Sequence, residues 1–128
     1  KRQIKEMAPH DDLTALLTNA DLFLCPSIYE PLGIVNLEAM GCETAVLASR
    51  VGGIPEVVAD GETGRLVNFD ANNSSKFESD FTNQIEELMS NPSLLTQMGK
   101  AGRIRAEKHF GWDAVAKQTI NLYNSLLK

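Results

Sequence analysis

The stretch Ser27–Gly41, SIYEPLGIVNLEAMG, decides how this chain is expected to fold. The apolar run Leu22–Cys25 just before it predicts a strand, and Ile34–Met40 predicts the opening of a helix. Between them, Pro31 and Gly33 favour a tight turn. This order of strand, turn and helix is typical of α/β proteins, which bind ligands outside the carboxyl ends of their strands. The free N–H groups at the start of such a helix favour an anion.

The rest of the chain continues the alternation of strands and helices. The apolar run Ala45–Ala48 predicts a parallel strand buried on both faces, and Arg65–Phe69 predicts another. Helices are predicted over Leu13–Thr18 with Asp11 or Asp12 as its cap, around Pro55–Val58, over Phe77–Met89 and Leu94–Lys108, and from Trp112 onward. We therefore expect an α/β fold with a partial Rossmann-like parallel sheet of about three to four strands, flanked by helices.

Composition narrows the class of protein. With 128 residues the chain has room for one domain, and its net charge of −5 argues against a nucleic-acid partner. No apolar stretch approaches the ~20 residues that span a bilayer, and no signal-peptide pattern opens the chain, so the default expectation is a cytoplasmic location. Cys25 and Cys42 are predicted to be reduced and buried. Because no His/Cys/Asp set has metal-ligand spacing, neither a metal nor a cofactor is expected.

Seven residues separate Glu30 from Glu38. Together with the residues around it, this pair of glutamates resembles the E-x7-E motif of retaining glycosyltransferases built from two Rossmann-like domains. The similarity begins at Asp21–Ser27 and continues through Gly52–Val58 and Gly61–Gly64, so that it covers nearly the whole chain. It is greatest to bacterial glycogen synthases and α-glucan synthases.

The resemblance implies a place for the chain in a larger protein. Residues 1–128 would be a single partial domain, the second half of the C-terminal, nucleotide-sugar-binding domain, and Lys1–Met7 would be its third strand or a disordered end. The first strands of this domain and the N-terminal acceptor domain would be absent, which predicts that the fragment is inactive. Strand Leu22–Cys25 would become an exposed edge, so self-association through it or through the Trp112 helix is expected. The apolar stripe that begins at Trp112 is predicted to be core, or in part to face the other domain.

The resemblance also implies roles for the residues of the motif. Glu30, the candidate catalytic residue, would accept hydrogen bonds from hydroxyls of the donor sugar, and Glu38 would hold the ribose. Without a ligand, Glu30 would be an ordinary turn residue, and Glu38 a carboxylate favoured by the helix dipole. Backbone N–H groups of the helix start would bind the diphosphate. The full predicted donor-binding set is Glu30, Pro31, Leu32, Gly33, Ile34, Val35, Glu38, Gly52 and Gly53.

Two parts of this assignment have plain alternatives. Gly52 and Gly53 either line the donor cleft or simply connect a strand to a helix. Met7–Pro9 falls where the family packs the nucleobase, but a plain turn explains it as well.

The function that the resemblance implies is retaining transfer of a hexose, as in glycogen biosynthesis. The donor would be ADP-glucose or UDP-glucose, and the acceptor a glucan or another carbohydrate. The basic residues that neutralise the donor phosphates in this family belong to a segment upstream of Lys1. Two alternatives stay open: a nucleotide-sugar epimerase of the same fold, and a binding or assembly module without chemistry.

Overall fold

The computed structural model describes residues 9–127 of the chain. Strands and helices alternate through its first half, and helices alone make up its second half. In order they are α1 (His10–Thr18), β1 (Phe23–Cys25), α2 (Ile34–Gly41), β2 (Val46–Ser49), α3 (Ile54–Val57), β3 (Gly64–Val67), α4 (Ser74–Met89), α5 (Pro92–Arg105), a π-helical segment (Ala106–Phe110) and α6 (Trp112–Leu126).

The three described strands form one parallel sheet in the order β1-β2-β3. Phe23 pairs with Val46 in the first ladder, and Val46 pairs with Gly64 in the second. All four residues of β2 are buried, as expected for the central strand of a sheet that is covered on both faces. The predicted α/β fold is confirmed. The possible strand over Lys1–Met7 lies outside the described residues.

The sheet separates two hydrophobic clusters. Alternate residues of the central strand point to opposite sides, so Val46 and Ala48 join one cluster and Ala45 and Leu47 join the other. The first cluster also contains Cys25, Ala39, Met40, Ile54, Val57 and Val58, and the second contains Val67, Phe77, Phe81, Leu88, Leu95 and Met98. Strand β2 is therefore packed from both sides, which fixes where its carboxyl end and the following loop lie.

Several predicted boundaries shift by a few residues. Helix α1 begins at His10 with Pro9 as its N-cap and no side-chain cap, so the prediction that Asp11 or Asp12 caps it is wrong. Both aspartates lie in the first turn instead, where a carboxylate complements the helix dipole. The third strand ends at Val67 rather than Phe69.

The prediction that the Trp112 stripe is core is wrong. Helix α6 buries none of its described residues, and the indole of Trp112 is 88% exposed. An apolar stripe usually marks a buried surface, but the contacts that α6 makes within residues 9–127 leave all of its described residues at least partly exposed. No helix in this range is both long and apolar enough to cross a membrane.

The two cysteines differ in their surroundings. Cys25 is buried at the end of β1, as predicted, whereas Cys42 is only half-buried after α2. Both thiols are free.

Candidate functional site

Two loops meet at the carboxyl end of the sheet. One follows β1 and carries Glu30, and the other follows β2 and carries Gly52 and Gly53. The N–H of Gly53 donates to the carbonyl oxygen of Glu30 at 3.0 Å. This edge of a parallel sheet is where α/β proteins bind ligands.

The two glycines allow this contact. A Cβ on Gly52 would lie 1.9 Å from the carbonyl oxygen of Glu30, and one on Gly53 would lie 2.3 Å from that of Pro31. Gly52 also has a φ of +51°, which L side chains rarely adopt. The close approach of the two loops therefore requires glycine at both positions, because a side chain at either one would force the loop that carries Glu30 to move.

The segment after the glycine pair is held from its far side. Arg105, at the end of α5, donates from Nε to the carbonyl of Val57 and from Nη2 to the carbonyl of Glu56, both at 2.8 Å. These two carbonyls lie at the end of α3, which has no later turn to pair with them. Helix α3 is thus fixed at both ends, by Gly53 on the Glu30 loop and by Arg105.

The carboxylate of Glu30 is half-buried and stabilises its own turn. Its Oε1 accepts a hydrogen bond from the N–H of Gly33 at 3.2 Å. Among residues 9–127, no other hydrogen bond or ion pair involves this side chain. One carboxylate oxygen therefore remains available to an outside donor.

Helix α2 starts directly behind this turn. Gly33 is its N-cap with a φ of +93°, and the N–H of Asn36 donates to the Gly33 carbonyl at 2.9 Å. The N–H groups of Ile34 and Val35 have no acceptor within the described part of the chain. No acidic residue lies in the first turn of the helix, so its positive end is not neutralised from within. Two unpaired N–H groups at a helix start can bind an anion.

Glu38 lies one turn further along α2 and faces α1. It lines a pocket of about 180 Å³ between the two helices. The other lining residues are His10, Leu13, Thr14, Leu17, Gly41 and Cys42. The structure therefore places Glu30 in the turn before α2, and Glu38 in a separate, largely apolar pocket beside the helix.

Sequence reasoning gave His10 no role, yet it lies in the Glu38 pocket. No local pattern marks it, because the pocket forms only when α1 packs against α2. Its neighbour Pro9, the one described member of the predicted nucleobase segment, is the exposed N-cap of α1. Met7 lies outside the described residues.

A larger polar groove of about 650 Å³ lies beside strand β3, between this strand and α4. It contains none of the predicted site residues, and sequence analysis did not predict it. Its charges are largely paired, since Lys76 bonds to Asp80 and Arg65 lies 4.0 Å from Glu87. Within residues 9–127 no group of His, Cys, Asp and Glu side chains could hold a metal ion.

Comparison with known sequences finds relatives named for the synthesis of sugar phosphates or for the transfer of sugars. Alpha-maltose-1-phosphate synthase of Mycolicibacterium smegmatis is 48% identical over 123 residues, which are 96% of this chain and 32% of that protein. MMP alpha-(1->4)-mannosyltransferase of Mycolicibacterium hassiacum is 36% identical over 91% of this chain and 27% of its own length. The chain thus spans about a third of the curated relatives that it matches.

Solved structures agree with this placement. Sucrose-phosphate synthase of Thermosynechococcus elongatus superposes with a TM-score of 0.75 at 38% identity, over 94% of this chain and 29% of that one. HepE of Anabaena, solved in complex with UDP-glucose, superposes with a TM-score of 0.67 at 25% identity, over 89% of this chain and 30% of that one. The profile of the family described as glycosyl transferases group 1 matches residues 3–105, and the chain belongs to this family.

Proposed function

We propose that the full-length protein that carries this chain transfers a hexose from a nucleotide-sugar donor with retention of configuration, and that this chain binds the donor. The observation that carries the proposal is the arrangement at the start of α2. There a carboxylate with one available oxygen, Glu30, adjoins the unpaired N–H groups of Ile34 and Val35. A nucleotide sugar presents the matching groups, since its sugar hydroxyls lie next to a diphosphate.

Each part of the turn has a role in this proposal. Glu30 is the catalytic residue, and its carboxylate orients the sugar hydroxyls beside the reacting carbon. The N–H groups of Ile34 and Val35 steady the leaving diphosphate, whose negative charge grows during the transfer. Gly33, which has no side chain, lets the phosphate approach the backbone closely. Pro31 and Leu32, both exposed, complete the wall of the turn.

The glycine pair acts on the same site from the neighbouring loop. Gly52 and Gly53 hold the Glu30 turn in place and leave the donor cleft open. Arg50 begins this loop, but its guanidinium is paired with Asp60. Basic groups that neutralise the phosphates are therefore expected from outside the described residues.

Glu38 holds the ribose hydroxyls of the nucleotide in this proposal. Its pocket supports that role, because a half-buried carboxylate beside an apolar surface suits a ribose that is attached to a base. The complex of HepE with UDP-glucose favours a uridine nucleotide. ADP-glucose is the alternative donor.

The acceptor is proposed to be a glucan or another carbohydrate, as in glycogen synthase. The names alpha-maltose-1-phosphate synthase and sucrose-phosphate synthase add a sugar phosphate to the candidates. The epimerase alternative has little support, because no titratable side chain from residues 9–127 forms a hydrogen bond or an ion pair with the Glu30 carboxylate. A cytoplasmic location stays a prediction from the sequence.

The chain is proposed to be half of a donor-binding domain. The rest of that domain and the acceptor domain would come from other parts of the protein, so the isolated chain should be inactive. The uncovered apolar face of α6 supports this, because it fits a surface that the described residues lack.

The direct test is a transfer assay with the full-length protein. It is incubated with UDP-glucose or ADP-glucose and with a glucan or a glucose phosphate, while release of the nucleoside diphosphate is followed. The anomeric configuration of the product is then read by proton NMR. Release that depends on the acceptor, with an α-linked product from an α-linked donor, supports the proposal. No release from either donor would refute the substrate class, and conversion of the donor to an epimer without an acceptor would favour the epimerase.

A further inference from the structure

The side-chain amide of Asn36 is buried and has no partner. Asn36 is the third residue of α2, with 0% of its surface exposed. Neither its Oδ1 nor its Nδ2 forms a hydrogen bond within the described part of the chain. Buried amides almost always have partners, so this one calls for a physical explanation.

The position of the amide suggests what its partner could be. Its Nδ2 lies 2.6 Å from the point where a Cβ on Gly33 would sit, so the amide packs directly on the N-cap residue of its own helix. In a capping box, a Glu or Gln side chain at the third helical position accepts a hydrogen bond from the N–H of the N-cap residue, and Asn36 occupies that position here. Here that N–H already donates to Oε1 of Glu30. One donor thus has two candidate acceptors.

We propose that Asn36 is a positioning residue that replaces Glu30 as the acceptor of the Gly33 N–H when the donor binds. This inference rests on the proposed function. When the carboxylate of Glu30 turns to the sugar hydroxyls, it releases the N–H of Gly33. A half-turn of the Asn36 amide presents Oδ1, which accepts that N–H and pairs the orphaned amide in the same step.

The exchange matters because Gly33 is buried. Water cannot readily reach an N–H at such a position, so releasing it without a new acceptor would oppose the movement of Glu30. With Asn36 present, the turn keeps its shape while Glu30 is in use. The amide is thus unpaired in the free protein and paired in the donor-bound protein.

This pattern predicts opposite effects on stability and on transfer. Asn36→Leu removes a buried unpaired amide, so the melting temperature should equal or exceed that of the wild type. The same substitution leaves the released N–H without an acceptor, so kcat/KM for the nucleotide sugar should fall about tenfold. Binding of the nucleoside diphosphate alone should stay unchanged, because it does not require Glu30 to move.

The experiment uses the full-length protein with UDP, ADP and the corresponding glucose donors as probes. Asn36→Ala serves as a second removal of the amide. Met40→Leu is the matched control, since Met40 is equally buried in α2 and has no polar group. Normal transfer by folded Asn36→Leu and Asn36→Ala overturns the inference alone. Parallel losses of melting temperature, diphosphate binding and transfer also overturn it, because they identify a packing residue. A wild-type protein that transfers nothing overturns the proposed function, and the inference with it.

Discussion

The carboxylate of Glu30 has two competing uses. In the free chain it stabilises its own turn through the N–H of Gly33, and in the proposed reaction it orients the donor sugar. The turn is also held by backbone contact with the glycine pair, through the hydrogen bond from the N–H of Gly53 to the carbonyl oxygen of Glu30. At this scale the site depends on whether two loops can approach each other closely.

Gly52→Ala tests that dependence. The added methyl group would lie 1.9 Å from the carbonyl oxygen of Glu30, at a φ that alanine rarely adopts. We expect the free energy of unfolding of the chain to fall by about 2–4 kcal/mol, and donor transfer by the full-length protein to fall with it. Chemical denaturation measures the first effect.

Gly41→Ala is the matched control for Gly52→Ala. Gly41 ends α2, and a Cβ there would meet nothing within 4 Å. Because alanine favours helices, this change should raise the free energy of unfolding by up to about 1 kcal/mol. If both substitutions lowered the free energy of unfolding equally, the close contact between the two loops would not explain why residue 52 is a glycine.

At the scale of elements, the helices follow local signals that the sequence displays. Asn91 caps α5 by accepting the N–H of Leu94 at 3.1 Å, and Asn73 caps α4 by accepting the N–H of Lys76 at 3.2 Å. The order of strands and helices could be predicted from the apolar runs and the Gly/Pro turns, whereas neither of these two asparagines was predicted as a capping residue and the cap predicted at Asp11 or Asp12 was wrong.

Asn91→Ala should lower the free energy of unfolding by about 1 kcal/mol, because it removes the acceptor of an end N–H group. Asn72→Ala is the control, since Asn72 is exposed in the loop before α4 and its side chain forms no hydrogen bond within the described residues. The measurement is the denaturant concentration at the midpoint of unfolding, which should be lower for Asn91→Ala than for Asn72→Ala. Similar midpoints would mean that the Asn91 cap contributes nothing.

What the sequence could not predict depends on contacts between distant segments. The approach of Gly52 to the Glu30 carbonyl and the pocket that His10 and Glu38 line together both require the folded backbone. The sequence did place Glu30 and the start of α2 beside each other, because both belong to one short stretch. Whether either binds a donor stays a prediction.

The whole molecule shows an uncovered apolar face on α6. Trp112, Leu122, Tyr123 and Leu126 are each more than half exposed. An apolar patch of this kind marks an interaction surface. In the full-length protein we propose that other parts of the chain cover it, and in the isolated chain a second copy can do so.

The isolated chain is therefore expected to self-associate, and Trp112→Ser should weaken the association at least tenfold. Ile104→Ser is the control, because Ile104 is also an exposed apolar residue but lies on α5. Sedimentation velocity over a range of concentrations measures both variants. A monomer at every concentration would contradict self-association, and an unchanged dimer in Trp112→Ser would assign it to another surface, such as the β1 edge.

The most direct test of the central claim compares Glu30→Ala with Glu62→Ala in the full-length protein. Glu62 is an exposed glutamate in a turn, with no side-chain partner seen in residues 9–127. Both variants are first shown to be folded, and hexose transfer from UDP-glucose and ADP-glucose is then measured. We predict that Glu30→Ala loses at least about 99% of the wild-type rate, as expected for a group that positions the reacting sugar, while Glu62→Ala keeps it. A folded Glu30→Ala protein that transfers at the wild-type rate would show that Glu30 only stabilises its turn.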